Sequence, residues 1–259
     1  MALTPTCPAK LGKAIGRQLL HPFRIYASWI RFLFQYRKFR RLSVRTKRTM
    51  PLLWRDRHPC VYDRTPITSF DRHYVLHTAW AARVLSASRP NYHVDLGSDL
   101  RFVTIVSAFV PIRFYDLRPA SVTLIGLECG RANLTSLPFA SGSIQSLSCM
   151  HVVEHVGLGR YGDALNPLGD QIAIEEIKRV LSPGGQLLFV VPIGRRRIAY
   201  NAHRIYNVKD ILDLFSGLQL KEFTLIPDDA DAGDLIKNAS PSVADLQNYG
   251  CGCFWFTKR

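Results

Sequence analysis

Four residues in the second half of the chain carry side chains suited to acid–base or metal chemistry. His151, Glu154 and His155 spell H-x-x-E-H, and His203 follows in NAHRIYN. Residues three and four apart on a helical turn share a face, so His151 and His155 can converge with Glu154 alongside. A neutral imidazole, with a pKa of about 6.5, can take a proton from a hydroxyl, which makes His155 and His203 candidate general bases. The same four, two or three imidazoles with one carboxylate, also form a candidate metal-ligand set that suits Mn, Fe or Zn better than Mg. A third reading keeps these histidines as hydrogen-bonded scaffolding.

These residues are positioned by a run of alternating elements. The apolar strand IQSLSCM ends directly before His151, an amphipathic helix spans residues 169–180, an LSPGG turn follows, and a second buried strand, QLLFVVP, precedes His203. In a parallel sheet wound this way both loops open at the carboxyl ends of the strands, where ligands bind. H-x-x-E-H also spells an inverted zinc-peptidase motif, but that motif must lie within a helix, whereas this one leaves a strand. Between the turn and the helix, GLGRYGDALNPLGD has four Gly and one Pro in fourteen residues, the composition of a rim or lid. Arg160, Tyr161 and Asp163 are its candidates to touch a substrate, and the Arg195–Arg197 run is a candidate for a phosphate or acidic sugar.

Earlier in the chain, periodicity predicts helices over residues 70–88 and 100–109, a strand at YHVDLG, a strand ending at Asp116 and another at SVTLIGL. After His203 it predicts a helix over residues 208–215, the strand LQLKEFTLI and a closing strand CFWFTK. This is an α/β pattern: a mostly parallel sheet with helices on both faces and an antiparallel last strand.

The net charge of +14 is unevenly spread. Residues 1–50 hold twelve Lys and Arg and no Asp or Glu, leaving 22 basic against 20 acidic residues in the remainder. We divide the chain into a basic arm (residues 1–50), a linker (51–69) and a catalytic-type domain (70–259). Within the arm, Pro22 predicts a break, and FRIYASWIRFLFQYRKFRRL mixes aromatics with Arg and Lys. That combination suits an anionic membrane surface, with packing on the domain or nucleic acid as alternatives. No apolar run is long enough to span a bilayer, the start lacks a secretory signal, and the six Cys are not spaced as a disulfide framework. The expected location is cytoplasmic, with peripheral membrane attachment through the arm.

VDLG, the acidic strand end at Asp116, the loop ANLTSLPF, the CMHVVEHV turn and LSPGG resemble, in that order, the class I S-adenosylmethionine-dependent methyltransferases, with their Rossmann-like fold. YDRT, FDRHY, HTAWAARVL, HVVEHVGLGRYGD and NAHRIYN resemble more narrowly a methyltransferase-like family of unknown function. The resemblance implies S-adenosylmethionine as cofactor, held by Asp95, Gly97 and Ser98 of the first loop, by Asp116, and by Asn133 and Leu134 at the adenine. A Gly there lets backbone approach a nucleotide, and a carboxylate at Asp116 can accept both ribose hydroxyls. The first loop departs from the superfamily pattern: Asp99 and Arg101 stand where glycines are usual, and side chains there would narrow the pocket. The histidine cluster is also similar to the E-x-x-E-H set of metal-dependent O-methyltransferases, with His151 in place of the first Glu.

The expected activity is methyl transfer to an oxygen of a small-molecule or saccharide acceptor, such as a lipid-linked glycan at a membrane. The alternative is a non-catalytic binding or scaffold protein anchored by its arm.

Overall fold

The computed structural model describes the backbone of residues 8–259 and the side chains of residues 25–259. The chain forms two compact units, Met1–Ser69 and Phe70–Arg259. The first is built on one helix, α1 (Pro8–Arg45), that runs through Pro22 where the sequence predicts a break. Proline removes one intrahelical hydrogen bond, and the turns on either side carry the helix past it. Residues 1–7 and the side chains of Phe23 and Arg24 lie outside the described residues. Trp54 packs edge-on against Tyr36 at 5.0 Å, while Tyr26, Phe34 and Phe39 stay exposed beside Arg31, Arg37 and Arg40. Among the described residues no helix is long and apolar enough to cross a membrane.

The second unit runs α2 (Arg72–Ser88), β1 (His93–Leu96), α3 (Leu100–Val106), β2 (Ile112–Asp116), β3 (Leu127–Arg131), β4 (Ile144–Met150), α4 (Gly169–Val180), β5 (Leu181–Ile193), β6 (Arg197–Ala199), β7 (His203–Ile205), α5 (Val208–Leu214), β8 (Leu218–Ile226), β9 (Ile236–Lys237), α6 (Pro241–Ala244) and β10 (Gly250–Lys258). One eight-stranded sheet has the order β3-β2-β1-β4-β5-β10-β8-β9. The pairs β2 with β3, β1 with β2, β1 with β4, and β4 with β5 are parallel, whereas β10 runs antiparallel to both β5 and β8. The chain moves outward from β1 in one direction and then returns to β4 on the other side. The carboxyl ends of β1 and β4 thus flank the switch point at which such sheets bind ligands.

Alternation along β5 divides the core between two layers. Leu187, Phe189 and Val191 join the cluster that includes Ile174 and Ile177 of α4 and Ile211 of α5. Leu188 and Val190 face Leu85 of α2, Val103 of α3, and Cys251 and Cys253 of β10. Both faces of the strand are dry, which explains why it reads as an unbroken apolar run.

SVTLIGL is not the third strand. Residues 121–123 carry no regular structure, Leu124 makes only an isolated bridge to Leu127 around a turn at the fully exposed Ile125, and the strand is the next segment, LECGR. The β-branched run has strand propensity, but propensity without a buried face does not make a sheet. The predicted LSPGG turn is instead the start of β5, with a shift in register against β4 between Ile144 and Ser146. The small β6–β7 hairpin is not foreseen from the sequence.

Candidate active site

The switch point opens on a cavity of about 220 Å³ whose walls include Gly97, Ser98, Asp99, Asp116, Asn133, Leu134, His151, His155, Tyr161 and Asp163. Six stretches that are separate in sequence supply it: five at the carboxyl end of the sheet, and Tyr74 from helix α2. Gly97 has φ +72°, and a Cβ there would stand 3.2 Å from Val152 and 3.4 Å from Asp116 Oδ2. A side chain would therefore close the cradle as well as strain the backbone.

Asp95 does not line this cavity. It is fully buried, with Oδ1 accepting from Ser98 N at 3.0 Å and Oδ2 accepting from the Ser148 hydroxyl. Burial pushes its pKa up to about 6, against the hydrogen bonds from Ser148 and Ser98. Because Ser148 donates to Asp95, it accepts from His93 Nε2–H at 2.8 Å, and His93 Nδ1 then accepts from the Ser146 hydroxyl at 2.7 Å. Burial lowers the His93 pKa to about 3, which keeps this neutral tautomer. Asp95 is thus an internal tie that shapes the loop, not the ligand contact the sequence predicts. Ser98 does reach the cavity, and its hydroxyl also receives Met150 N at 3.1 Å.

Asp99 caps α3, accepting from Arg101 N at 2.8 Å, and the Arg101 guanidinium folds back onto it at 2.6 Å. Arg101 is exposed and forms no part of the cavity wall, so only Asp99 narrows the site. Asp116 is fixed by Arg118 N, which donates to Oδ1 at 2.7 Å. The Asn133 amide oxygen accepts from both the N–H and the hydroxyl of Thr135, at 3.1 and 2.9 Å. That oxygen is committed to its own turn, so the group Asn133 offers a ligand is its NH2.

The H-x-x-E-H residues leave β4 as a single 3-10 turn, Val153–His155, with His151 at φ +57° before it. His151 Nδ1 donates to Glu154 Oε1 at 2.9 Å, and His155 Nε2 lies 3.7 Å from the same oxygen. Burial lifts the Glu154 pKa to about 7, with His155 drawing it back down. Burial lowers His151 to about 4 and also lowers His155, which Glu154 opposes. His155 Nδ1 donates to Ala202 O at 2.6 Å, leaving the Nε2 lone pair free. The His203 ring centroid is 6.4 Å from that of His155 and 4.7 Å from that of Tyr249, but His203 does not line the cavity.

The predicted four-residue metal set is therefore not gathered. Its carboxylate turns to His151, its second imidazole bonds a carbonyl, and His203 packs on Tyr249. Among the described residues the ligand atoms that lie within 4.8 Å of one another belong to His73, His151 and Cys251.

Over the mouth, Tyr161 sits between the guanidinium groups of Arg118 and Arg160, 4.5 and 5.1 Å from its ring centre. Arg160 bonds Ala202 O at 3.0 Å and is not a wall residue. Asp163 spends its carboxylate on the loop itself, accepting from Gly157 N, Gly159 N and Tyr161 N at 2.7 to 3.3 Å. Burial would raise its pKa, but these three N–H groups hold it below the usual value. Arg196 pairs with Asp210 at 3.0 Å and Arg197 bonds Asn248 O, so two of the three arginines of the predicted anion cluster are internally engaged.

Arg204, beside His203, is an anchor that sequence reasoning missed. It is buried, donates to Val156 O at 2.7 Å and Pro167 O at 3.3 Å, and pairs with Asp170, which also accepts from Tyr206 OH. His73, Tyr74 and His77 of α2 and Cys251 of β10 were missed as well. The only available signal was the i, i+4 spacing of His73 and His77.

Residues 140–232 match the family model described as Caenorhabditis protein of unknown function, DUF268. No curated protein matches the chain. Among solved structures, the N-methyltransferase NodS from Bradyrhizobium japonicum WM9, in complex with S-adenosyl-L-homocysteine, aligns with a TM-score of 0.51 at 13% identity. The alignment covers 77% of this chain and 91% of NodS. MccD protein aligns with a TM-score of 0.50 at 13% identity, covering 71% of this chain and 96% of its own. At such identities the likeness is one of fold, and it agrees with the strand order found independently above. The chain has the Rossmann-like fold of the class I S-adenosylmethionine-dependent methyltransferases, and residues 140–232, which carry the His151–His155 turn and the Tyr161 rim, match a family of unknown function.

Proposed function

We propose that the chain is a methyltransferase that uses S-adenosylmethionine to methylate an oxygen of a small-molecule or saccharide acceptor, with His155 as general base. The observation that carries this reading is that Gly97, Asp116, Asn133 and His155 line one cavity at the switch point. Gly97 leaves room for a nucleoside, and Asp116 is fixed by a backbone N–H with its second oxygen beside that glycine. When bound, the cofactor supplies an activated methyl group, so the protein has mainly to orient the acceptor and remove one proton. His155 is suited to removing it, because Ala202 O fixes its tautomer and its Nε2 can take the hydroxyl proton as the oxygen attacks. Glu154 then faces the resulting imidazolium, with His151 holding the carboxylate in place.

The cavity is smaller than the ~300–1,000 Å³ of ordinary ligand pockets. Tyr161 is the wall that can yield, since its half-exposed ring is held by two arginines and the edge contact with His155 rather than by aliphatic core. The basic arm, with exposed aromatics beside exposed arginines, would bring the enzyme to an anionic membrane from the cytoplasmic side. Calorimetric titration with S-adenosylhomocysteine, together with flotation on anionic vesicles at low and high salt, tests the reading. We expect one site, and vesicle binding that salt weakens. A chain that binds no S-adenosylhomocysteine at millimolar concentration would favour the scaffold reading, to which Asp99 in place of a glycine and the small cavity point.

A further inference from the structure

On the side of His151 away from Glu154, the structure assembles a group that neither the cofactor cavity nor the base requires. His151 donates its Nδ1–H to a buried carboxylate, which leaves Nε2 with its lone pair, and that atom lies 3.4 Å from Cys251 Sγ. His73, in the first turn of α2, completes a set whose three ligand atoms all lie within 4.8 Å of one another. One turn later His77 is fully buried. Its Nδ1 donates to His73 O at 2.6 Å, and its Nε2 has no partner among the described residues. The His77 ring centroid is 5.0 Å from that of His151. A buried imidazole nitrogen without a partner is costly and calls for an explanation.

We propose that His73, His151 and Cys251 bind a zinc-type transition metal ion, beside the unpartnered Nε2 of His77. Donor softness selects the metal, because imidazole and thiolate together suit zinc and exclude magnesium or calcium. Spacing agrees: metal bonds of about 2.0 to 2.3 Å at tetrahedral angles place N and S donors roughly 3.5 Å apart. The Glu154–His151 bond is the carboxylate–histidine support that fixes ring orientation and raises basicity in metal sites. On binding, the Cys251 thiol releases its proton to solvent and the thiolate takes its place on the metal. The site does not depend on the cofactor reading, and its position beside the cavity would lock α2 and β10 onto the His151 turn.

The test uses the full chain, reduced, stripped with a chelator and titrated with Co²⁺. We expect one equivalent to produce a near-ultraviolet thiolate-to-cobalt absorption that added Zn²⁺ bleaches. Cys251→Ser should abolish the band. His73→Ala, at a partly exposed position, should weaken Co²⁺ binding by roughly 10-fold or more while the protein stays folded. Absence of stoichiometric binding at micromolar protein would overturn the proposal. So would a band that survives Cys251→Ser, which would point to Cys253, or unchanged affinity in folded His73→Ala. S-adenosylhomocysteine titration of the same samples separates this outcome from the fate of the methyltransferase reading.

Discussion

Asp95 and Asp116 end neighbouring strands, and the sequence predicts one role for both. Their environments assign them opposite ones. Asp116 faces the cavity, so Asp116→Ala should weaken S-adenosylhomocysteine binding by about 1.5 to 3 kcal/mol, the scale of a charge-assisted hydrogen bond, and leave stability unchanged. Asp95→Ala should instead destabilise the fold by roughly 1 to 3 kcal/mol, because it strands the Ser148 hydroxyl and the Ser98 N–H in a buried network. Calorimetry and urea unfolding on the pair check this, and equal losses of stability would refute the division. The motif VDLG announces a tight loop after a strand but not which way its carboxylate turns. That is decided by Ser148, which pairs with Asp95 across β1 and β4, a contact no local window contains.

At the scale of elements, most of the fold was legible because buried strands and amphipathic helices print their periods in the sequence. The third strand was misread because SVTLIGL has the right residues, but only LECGR has a buried neighbour to pair with, β2. The histidine turn was legible as a unit, whereas the partners of His151 were not. They arrive on α2 and β10, and the H-x-x-E-H pattern says nothing of helices that pack from elsewhere. The hairpin of β6 and β7 shows the same limit. His203 drew notice as a candidate ligand, yet its neighbour Arg204 is the structural residue, pinning the histidine turn and the rim loop through their carbonyl groups. Arg204→Met preserves much of the volume but leaves Asp170 buried without its cation. We expect a loss of about 3 kcal/mol or more by chemical denaturation, with proteolysis appearing first in residues 157–168. Unchanged protease resistance there would mean that the loop holds itself through Asp163 alone.

Across the whole molecule, buried titratable groups set a pH dependence that the net charge does not reveal. Burial holds His73 and His151 at about 4 and His77 and His93 at about 3, so each contributes stability that is present above 6.5 and lost as pH falls through those values. Glu154 and Asp95, raised to about 7 and about 6, act oppositely: their contribution is present below the ordinary carboxyl range and lost as pH rises. Near pH 5.5 these four imidazoles, joined by His155 and His203, which burial also lowers, take up protons on unfolding while the two carboxyls release them, so uptake dominates. Denaturation midpoints of chelator-treated protein between pH 6 and 5 should fall accordingly. A rise on acidification would show that the two carboxyls outweigh the histidines.

The sheet order carries one more consequence. β10 lies between β5 and β8 and pairs along its length with both, so until it docks each presents a bare hydrogen-bonding edge. On β5 that edge belongs to Leu187, Leu188, Phe189, Val190 and Val191, all fully buried in the finished fold. A chain paused at that stage exposes an uncharged, apolar strand, the kind of template on which other chains assemble. Lesions in β10 should therefore show themselves as insoluble protein, with refolding yields that drop as concentration rises, sooner than as a soluble enzyme that has merely lost activity.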